Sequence, residues 1–221
     1  MPVIAIDGPS GSGKGTLAAL VAERLGWHLL DSGALYRIVA FVALDRDLDL
    51  DDAEGLARAA RALTFAFEDG RVWVDGVERT DDIRIEAVSE ASSRVAALQP
   101  VRDAVLEVQR AQRRPPGLIA DGRDMGTVVF PDAPLKVFLD ASAEVRANRR
   151  YNQLRNKGLS VSLAALLASI RERDERDRRR AIAPLRPASD AILIDSTNMS
   201  IDEVLEKVLE AADAAQLVKG T

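Results

Sequence analysis

Residues Gly8, Pro9, Ser10, Gly11, Ser12, Gly13, Lys14, Gly15 and Thr16 form a glycine-spaced run. Such spacing lets backbone N–H groups curl around phosphate oxygens, where a Cβ would block the approach. Lys14 adds a mobile positive charge for the outer phosphates. The run follows the apolar Val3, Ile4, Ala5 and Ile6 and leads into Leu17, Ala18, Ala19 and Leu20, so a strand passes into a helix across it. The start of that helix contributes unpaired donors and a positive dipole end. One residue departs from the strict pattern: Ser or Thr belongs directly after the lysine, but Gly15 intervenes and Thr16 follows. The expectation is a loop that binds a nucleoside triphosphate.

Such a loop needs a rigid strand behind it, and the chain supplies several. Apolar runs at residues 3–7, 27–31, 118–121, 135–140 and 191–195 predict strands buried on both faces, as in a parallel sheet. Helical patterns at 15–25, 33–45, 142–157, 161–180 and 200–216 follow most of them. The last opens on the capping box Ser200-Ile201-Asp202-Glu203 and lines Val204, Leu205, Val208 and Leu209 along one face. This alternation predicts an α/β fold, a five-stranded parallel sheet covered by helices. Residues 46–100 break the rhythm. There 63–67, 71–74 and 82–85 look like short strands, with Glu68-Asp69-Gly70 and Asp75-Gly76 as turns. A small antiparallel insert is expected, before a helix around 100–113.

Polar clusters fall at the ends of the predicted core strands, where open α/β sheets place their ligands. Asp121 closes one strand, a position from which a carboxylate reaches Mg²⁺ directly or through water. Arg123 and Asp124 follow it, and Asp31-Ser32-Gly33 ends another strand and opens a helix carrying Tyr36 and Arg37. In the helix at 161–180, Leu163, Leu166, Leu167 and Ile170 mark an apolar stripe. Extending it reaches Arg173, Asp177 and Arg180, so these charges face inward and must meet each other or a charged ligand.

The 221 residues suffice for a sizeable core, 47% of them are hydrophobic and 29% charged, and no apolar stretch is long enough to span a bilayer. The chain enters a strand at once, so no signal segment is expected. With no cysteine, disulfides, thiolate metal sites and thiol nucleophiles are excluded, and a reducing compartment is suited. The single histidine, His28, reads as a structural strand residue. The net charge of −5 hides an asymmetry: residues 45–82 carry a net −7 and residues 146–180 a net +7. A basic segment in an acidic chain points to an anion bound locally. Its arginines alternate with acids, and aromatics for base stacking are scarce at 4%, which argues against a nucleic-acid binder.

Over nearly its whole length the sequence resembles the bacterial-type cytidylate kinases, members of the nucleoside monophosphate kinases. The matching segments are residues 6–16, with the Gly-Lys-Gly-Thr ending that accounts for Gly15; residues 27–33; residues 117–133; and residues 171–178 with the arginines after them and Ala183-Pro184-Leu185. The resemblance implies a P-loop kinase fold in one domain, with a monophosphate-binding insert at about 46–100 and a short lid at about 147–160, where Arg149, Arg150 and Arg155 would close over ATP. It implies that residues 8–16 hold ATP, with Lys14 on its phosphates and Thr16 and Asp121 near Mg²⁺. Ser93, Arg102 and Asp124 would recognise cytosine. Arg37 and Arg123 would grip the acceptor phosphate, with Tyr36 and Ser32 lining that site. Arg173 and Asp177 would address the ribose side, and Arg180 the transferring phosphates. The implied reaction converts CMP and dCMP to the diphosphates, with Lys14, Arg123, Arg173 and Arg180 catalytic. The expected partners are these nucleotides, without nucleic acid or membrane, for a cytoplasmic monomer. A related kinase acting on UMP would share the loop and arginines, whereas a P-loop switch would hydrolyse slowly without an acceptor.

Overall fold

A computed structural model describes residues 1–68, 71–156 and 158–217. Asp69 and Gly70 of the expected Glu68-Asp69-Gly70 turn lie outside them, as does Lys157. The chain divides into two compact units: Met1–Leu30 with Gln112–Thr221, and Asp31–Ala111.

In the larger unit the buried runs form β1 (Val3–Asp7), β6 (Leu118–Gly122) and β7 (Leu135–Asp140), whereas β8 (Ile192–Asp195), expected to be buried on both faces, is an edge strand that leaves Ile192, Leu193 and Asp195 exposed. Together with β2 (His28–Asp31) they make a five-stranded sheet in the order β2-β6-β1-β7-β8. β1 pairs in parallel with β6 and β7, and β7 with β8. The strand order therefore reverses at β1, and ligands bind beyond the carboxyl ends of strands at such a point. The covering helices are α1 (Lys14–Leu25), α6 (Ala143–Asn156), α7 (Leu163–Arg179) and α8 (Ile201–Ala214). Ile4, Ile6, Leu17, Val21, Ile119, Val137, Leu139, Ile194, Val204 and Val208 pack as one core. Each such aliphatic side chain stabilises the fold by about 1.5–3 kcal/mol. The expected capping box is present: Ser200 Oγ accepts from Glu203 N, and Glu203 Oε2 accepts from Ser200 N.

The smaller unit contains α2 (Ser32–Asp45), α3 (Ala53–Ala62), α4 (Glu86–Val95) and α5 (Gln99–Ala111) around a three-stranded antiparallel sheet. Its strands are β3 (Phe65–Glu68), β4 (Arg71–Val74) and β5 (Val77–Glu78). Two expectations are corrected here. The segment 82–85 is a 3₁₀ turn, Asp82–Arg84, and the third strand is Val77–Glu78. Alternation of Ile83 with Ile85 suggests a strand face, but Ile83 is 1% exposed and Ile85 54%, so the two do not share a face. Ile83 instead joins Ile38, Val42, Val72 and Val74 in the unit's own core. The segment is also more helical than a β insert: Asp52 caps α3 by accepting from Gly55 N, and α4 follows the 3₁₀ turn. Among the described residues no helix is long and apolar enough to cross a membrane.

Candidate active site

The glycine-rich run forms the turn between β1 and α1. At Gly8 a Cβ would stand 2.1 Å from the Leu139 carbonyl oxygen, so no side chain fits. Gly13, which precedes the first turn of α1, has φ +96°, a conformation that favours glycine. Lys14 is buried, and its Nζ donates to the Pro9 carbonyl at 3.1 Å, so the ammonium lies folded over the loop. Ser12 Oγ is buried and has no hydrogen-bond partner among the described residues. A buried hydroxyl of this kind suits a bound oxyanion. A cavity of about 270 Å³ beside the loop is lined by Ser12, Gly13, Thr16, Arg149, Ser196 and Met199.

Gly15 now has a physical reason. A Cβ there would stand 3.2 Å from Asp121 Oδ2, tighter than ordinary carbon–oxygen packing. The glycine makes room for the carboxylate against the first turn of α1, where Thr16 is exposed. Two hard oxygen donors at one helix turn fit Mg²⁺ better than a soft metal.

Two arginines of α6 brace this loop from outside. Arg146 donates to Ser10 O at 3.0 Å and to Ala141 O at 2.9 Å, and forms a bidentate pair with Asp174 of α7 at 3.0 and 2.5 Å. Arg149 donates to Ser12 O and Ser196 O, each at 2.9 Å. Arg149 was expected over ATP with Arg150 and Arg155; the structure seats it on the loop backbone. Arg150 donates to Gln153, and Arg155 lies 5.8 Å from the Tyr151 ring centroid.

On α7 the inward face carries Ile170, Asp174 and Asp177, with Arg173 and Arg180 half-buried. Leu163, expected on the apolar stripe, is exposed because it starts the helix before its packed turns. Arg123 Nε donates to Asp177 Oδ2 at 2.8 Å. Burial works to raise the Asp177 pKa, but Arg123, Arg173 and Arg180 outweigh it and hold the carboxyl below its ordinary value. Burial likewise works against the Arg123 cation, and Asp177 more than offsets it, leaving Arg123 above its ordinary value. This side of the site is a charged cluster in which Arg123, Arg173 and Arg180 gather around Asp177, leaving net positive charge.

The smaller unit holds another group of expected residues. Asp31 caps α2 by accepting from Ala34 N and pairs with Arg37 Nη2, both at 2.9 Å. Gly33 permits this fold-back, since a Cβ would stand 3.3 Å from Arg37 Nη1. Ser32 Oγ accepts from Gln109 Nε2 of α5 at 2.7 Å. Arg102 of α5 is buried, donates to Ala96 O at 3.3 Å and has its guanidinium carbon 6.0 Å from the Tyr36 ring centroid. Ser93 is buried on α4. Asp124 belongs to the larger unit, where it is buried just before a π-helical turn, Met125–Val129.

Three residues with roles in the larger unit escaped sequence reasoning: Asp7, Arg146 and Asp174. A four-residue step from Ile170 reaches Asp174, so the stripe pointed to it. Asp7 stood inside the matching motif, but nothing local marks a carboxylate whose partners lie more than a hundred residues away. For Arg146 no local signal separates a buried brace from a solvated arginine.

A family model described as cytidylate kinase matches residues 4–214. A Pseudomonas aeruginosa protein named cytidylate kinase is 60% identical over 215 residues, covering 95% of this chain and 94% of the relative. One from Aeromonas salmonicida is 57% identical, covering 96% and 94%. The solved structure of an uncharacterized protein from Eubacterium ventriosum shares the fold, with TM-score 0.52 at 14% identity over 96% of this chain and 98% of that one. The phosphate loop, the ionised cluster and these full-length matches lead to one conclusion: the chain belongs to the cytidylate kinase family.

Proposed function

We propose that the protein transfers the γ-phosphoryl group of ATP to CMP and dCMP, giving ADP with CDP or dCDP. The observation that carries this reading is the 60% identity to a protein named cytidylate kinase over nearly the full chain. A phosphate oxygen of CMP forms the new bond to the γ-phosphorus. The bond from that phosphorus to the bridging oxygen breaks, and its electron pair leaves with ADP. The attacking phosphate is already largely ionised at neutral pH, since its second pKa is about 6. No general base is required, in keeping with the lone His28, whose Nε2 is engaged with Pro115 O at 2.8 Å.

Catalysis then rests on alignment and charge neutralisation. Residues 8–16 hold the donor phosphates through backbone N–H groups, and Lys14 swings from Pro9 O onto them. Arg123, Arg173 and Arg180 take up charge on the acceptor and transferring phosphates, with Asp177 fixing Arg123 and facing the ribose. Arg37, Tyr36 and Ser32 line the acceptor phosphate. Ser93, Arg102 and Asp124 read the base: a carboxylate accepts from cytosine's exocyclic amine, while Arg and Ser donate to its ring nitrogen and carbonyl. Mg²⁺ held by Thr16 and Asp121 would neutralise charge on the donor phosphates. The absence of cysteine suits a cytoplasmic enzyme, which we take to act as a monomer.

Product analysis by phosphorus NMR tests the reading. ATP, Mg²⁺ and CMP should give equimolar ADP and CDP. ADP with free phosphate and no CDP would overturn it.

A further inference from the structure

The end of β1 carries a carboxylate that the transfer chemistry does not use. Asp7 is buried, and each of its oxygens accepts one backbone N–H: Oδ1 from Met125 and Oδ2 from Gly126, both at 2.8 Å. These two amides belong to the turn that begins at Asp124, whose own carbonyl accepts from Val128 N at 2.9 Å and Val129 N at 3.2 Å. From the opposite side the turn is backed by Lys136. A Cβ on Gly126 would stand 3.1 Å from Lys136 Cδ, and Lys136 Nζ is held by Pro131 O at 2.7 Å and by Asp190. Met125 fills the space at Gly122, where a Cβ would stand 2.7 Å from its Cε. The turn is therefore clamped between a two-oxygen acceptor and an anchored aliphatic stem, and Arg123 and Asp124 lead directly into it.

Keeping a carboxylate there opposes a large burial penalty. Desolvation raises the Asp7 pKa from 3.8 to about 7 against the two backbone hydrogen bonds, with Asp124 and Asp121 adding repulsion. An apolar residue would remove that penalty but leave two buried N–H groups without an acceptor, which is costlier than an ordinary lost hydrogen bond. Two N–H donors, one to each oxygen, match the two-oxygen geometry of a carboxyl group better than an amide, which offers one oxygen.

We infer that Asp7 is a positioning residue for acceptor selectivity: by binding the Met125 and Gly126 amides it fixes the backbone that presents Asp124 to the base. This rests on the reading of Asp124 as a base-recognition residue. Asp7 is buried, and its hydrogen bonds go to the turn after Asp124 rather than to the phosphate loop that follows it in the chain.

The test compares Asp7→Asn, Gly126→Ala and Asp124→Asn in steady-state kinetics with CMP and UMP, alongside ATP titration and thermal melting. Asp7→Asn keeps one acceptor and places an amide against the second N–H. It should raise KM for CMP about tenfold and narrow the CMP-over-UMP preference, with KM for ATP within about twofold of wild type. Gly126→Ala pushes the same turn against the Lys136 stem with Asp7 intact, and should shift KM for CMP in the same direction should Asp7→Asn fail to fold. If Asp124→Asn narrows the preference while folded Asp7→Asn leaves it unchanged, or Asp7→Asn fails to fold and Gly126→Ala leaves it unchanged, the inference on Asp7 is overturned. The inference is equally overturned if Asp7→Asn raises both KM values together, since that marks a merely structural role. If Asp124→Asn itself leaves the preference intact, the base-reading assignment falls, and the inference on Asp7 falls with it.

Discussion

The two compact units achieve order around charged residues in opposite ways. In the larger unit, backbone groups and largely buried ion pairs do the work: glycines shape the phosphate loop, Arg146 and Arg149 hold its carbonyls, and Arg123 is locked to Asp177. In the smaller unit, α2, β4 and the 3₁₀ turn pack through apolar side chains, and polar residues are held by side-chain contacts such as Gln109 to Ser32 and Arg37 to Asp31. A phosphate is the same in every nucleotide, so a backbone cradle suffices for it. A base must be distinguished from other bases, which needs side chains at particular positions, and side chains are easier to change than backbone.

That contrast is open to attack by mutation. Lys14→Ala should lose about a hundredfold to a thousandfold in kcat with every acceptor alike. A loss confined to CMP would erase the distinction between a general phosphate side and a selective base side. Asp177→Asn removes the ion-pair partner of the largely buried Arg123 and should cost about 2–3 kcal/mol in urea unfolding. A negligible cost would mean that the ionised cluster is not structural. Arg102→Ala should raise KM for CMP by ten- to thirtyfold, about 1.4–2 kcal/mol, and leave KM for ATP unchanged. Coupled changes in both would sharpen the comparison toward interdependent sides.

The smallest expected effect concerns Asp7. Its folded pKa, about 7, lies above its ordinary 3.8, so the folded state binds the proton more tightly. This contribution is fully present below pH 3.8 and is lost as pH rises through about 7. Between pH 6 and pH 8 wild type should lose about 1.4 kcal/mol relative to Asp7→Asn in parallel unfolding curves. An unchanged difference across that range would show that Asp7 is ionised throughout.

The sequence made the larger unit readable because its signals are local. A glycine spacing, a lysine and an apolar run sit within fifteen residues, and the strand at 135–140 has the bounds of β7. Gly15 was legible as a departure but not as a cause, since Asp121 lies more than a hundred residues on. Smaller errors came from periodicity. The α7 stripe, expected to reach Arg173, Asp177 and Arg180, also includes Asp174, a four-residue step from Ile170, and Asp174 proves to be the partner of Arg146. In residues 46–100 the β signals were real at β3 and β4, but α3 and α4 are short and bury small or polar residues such as Ala57, Ala91, Ser92 and Ser93, so their apolar pattern is faint. Ile83 and Ile85 imitated a strand because two residues cannot distinguish a two-residue period from a single 3₁₀ turn.

The central claim is that the chain pairs a general phosphate cradle with cytosine-selective acceptor reading. A coupled ADP-release assay with ATP, Mg²⁺ and, in turn, CMP, dCMP, UMP and AMP tests it most directly. The account predicts strong stimulation by CMP and dCMP, weaker stimulation by UMP and little by AMP. Equal rates with AMP, or no stimulation by any monophosphate, would contradict it.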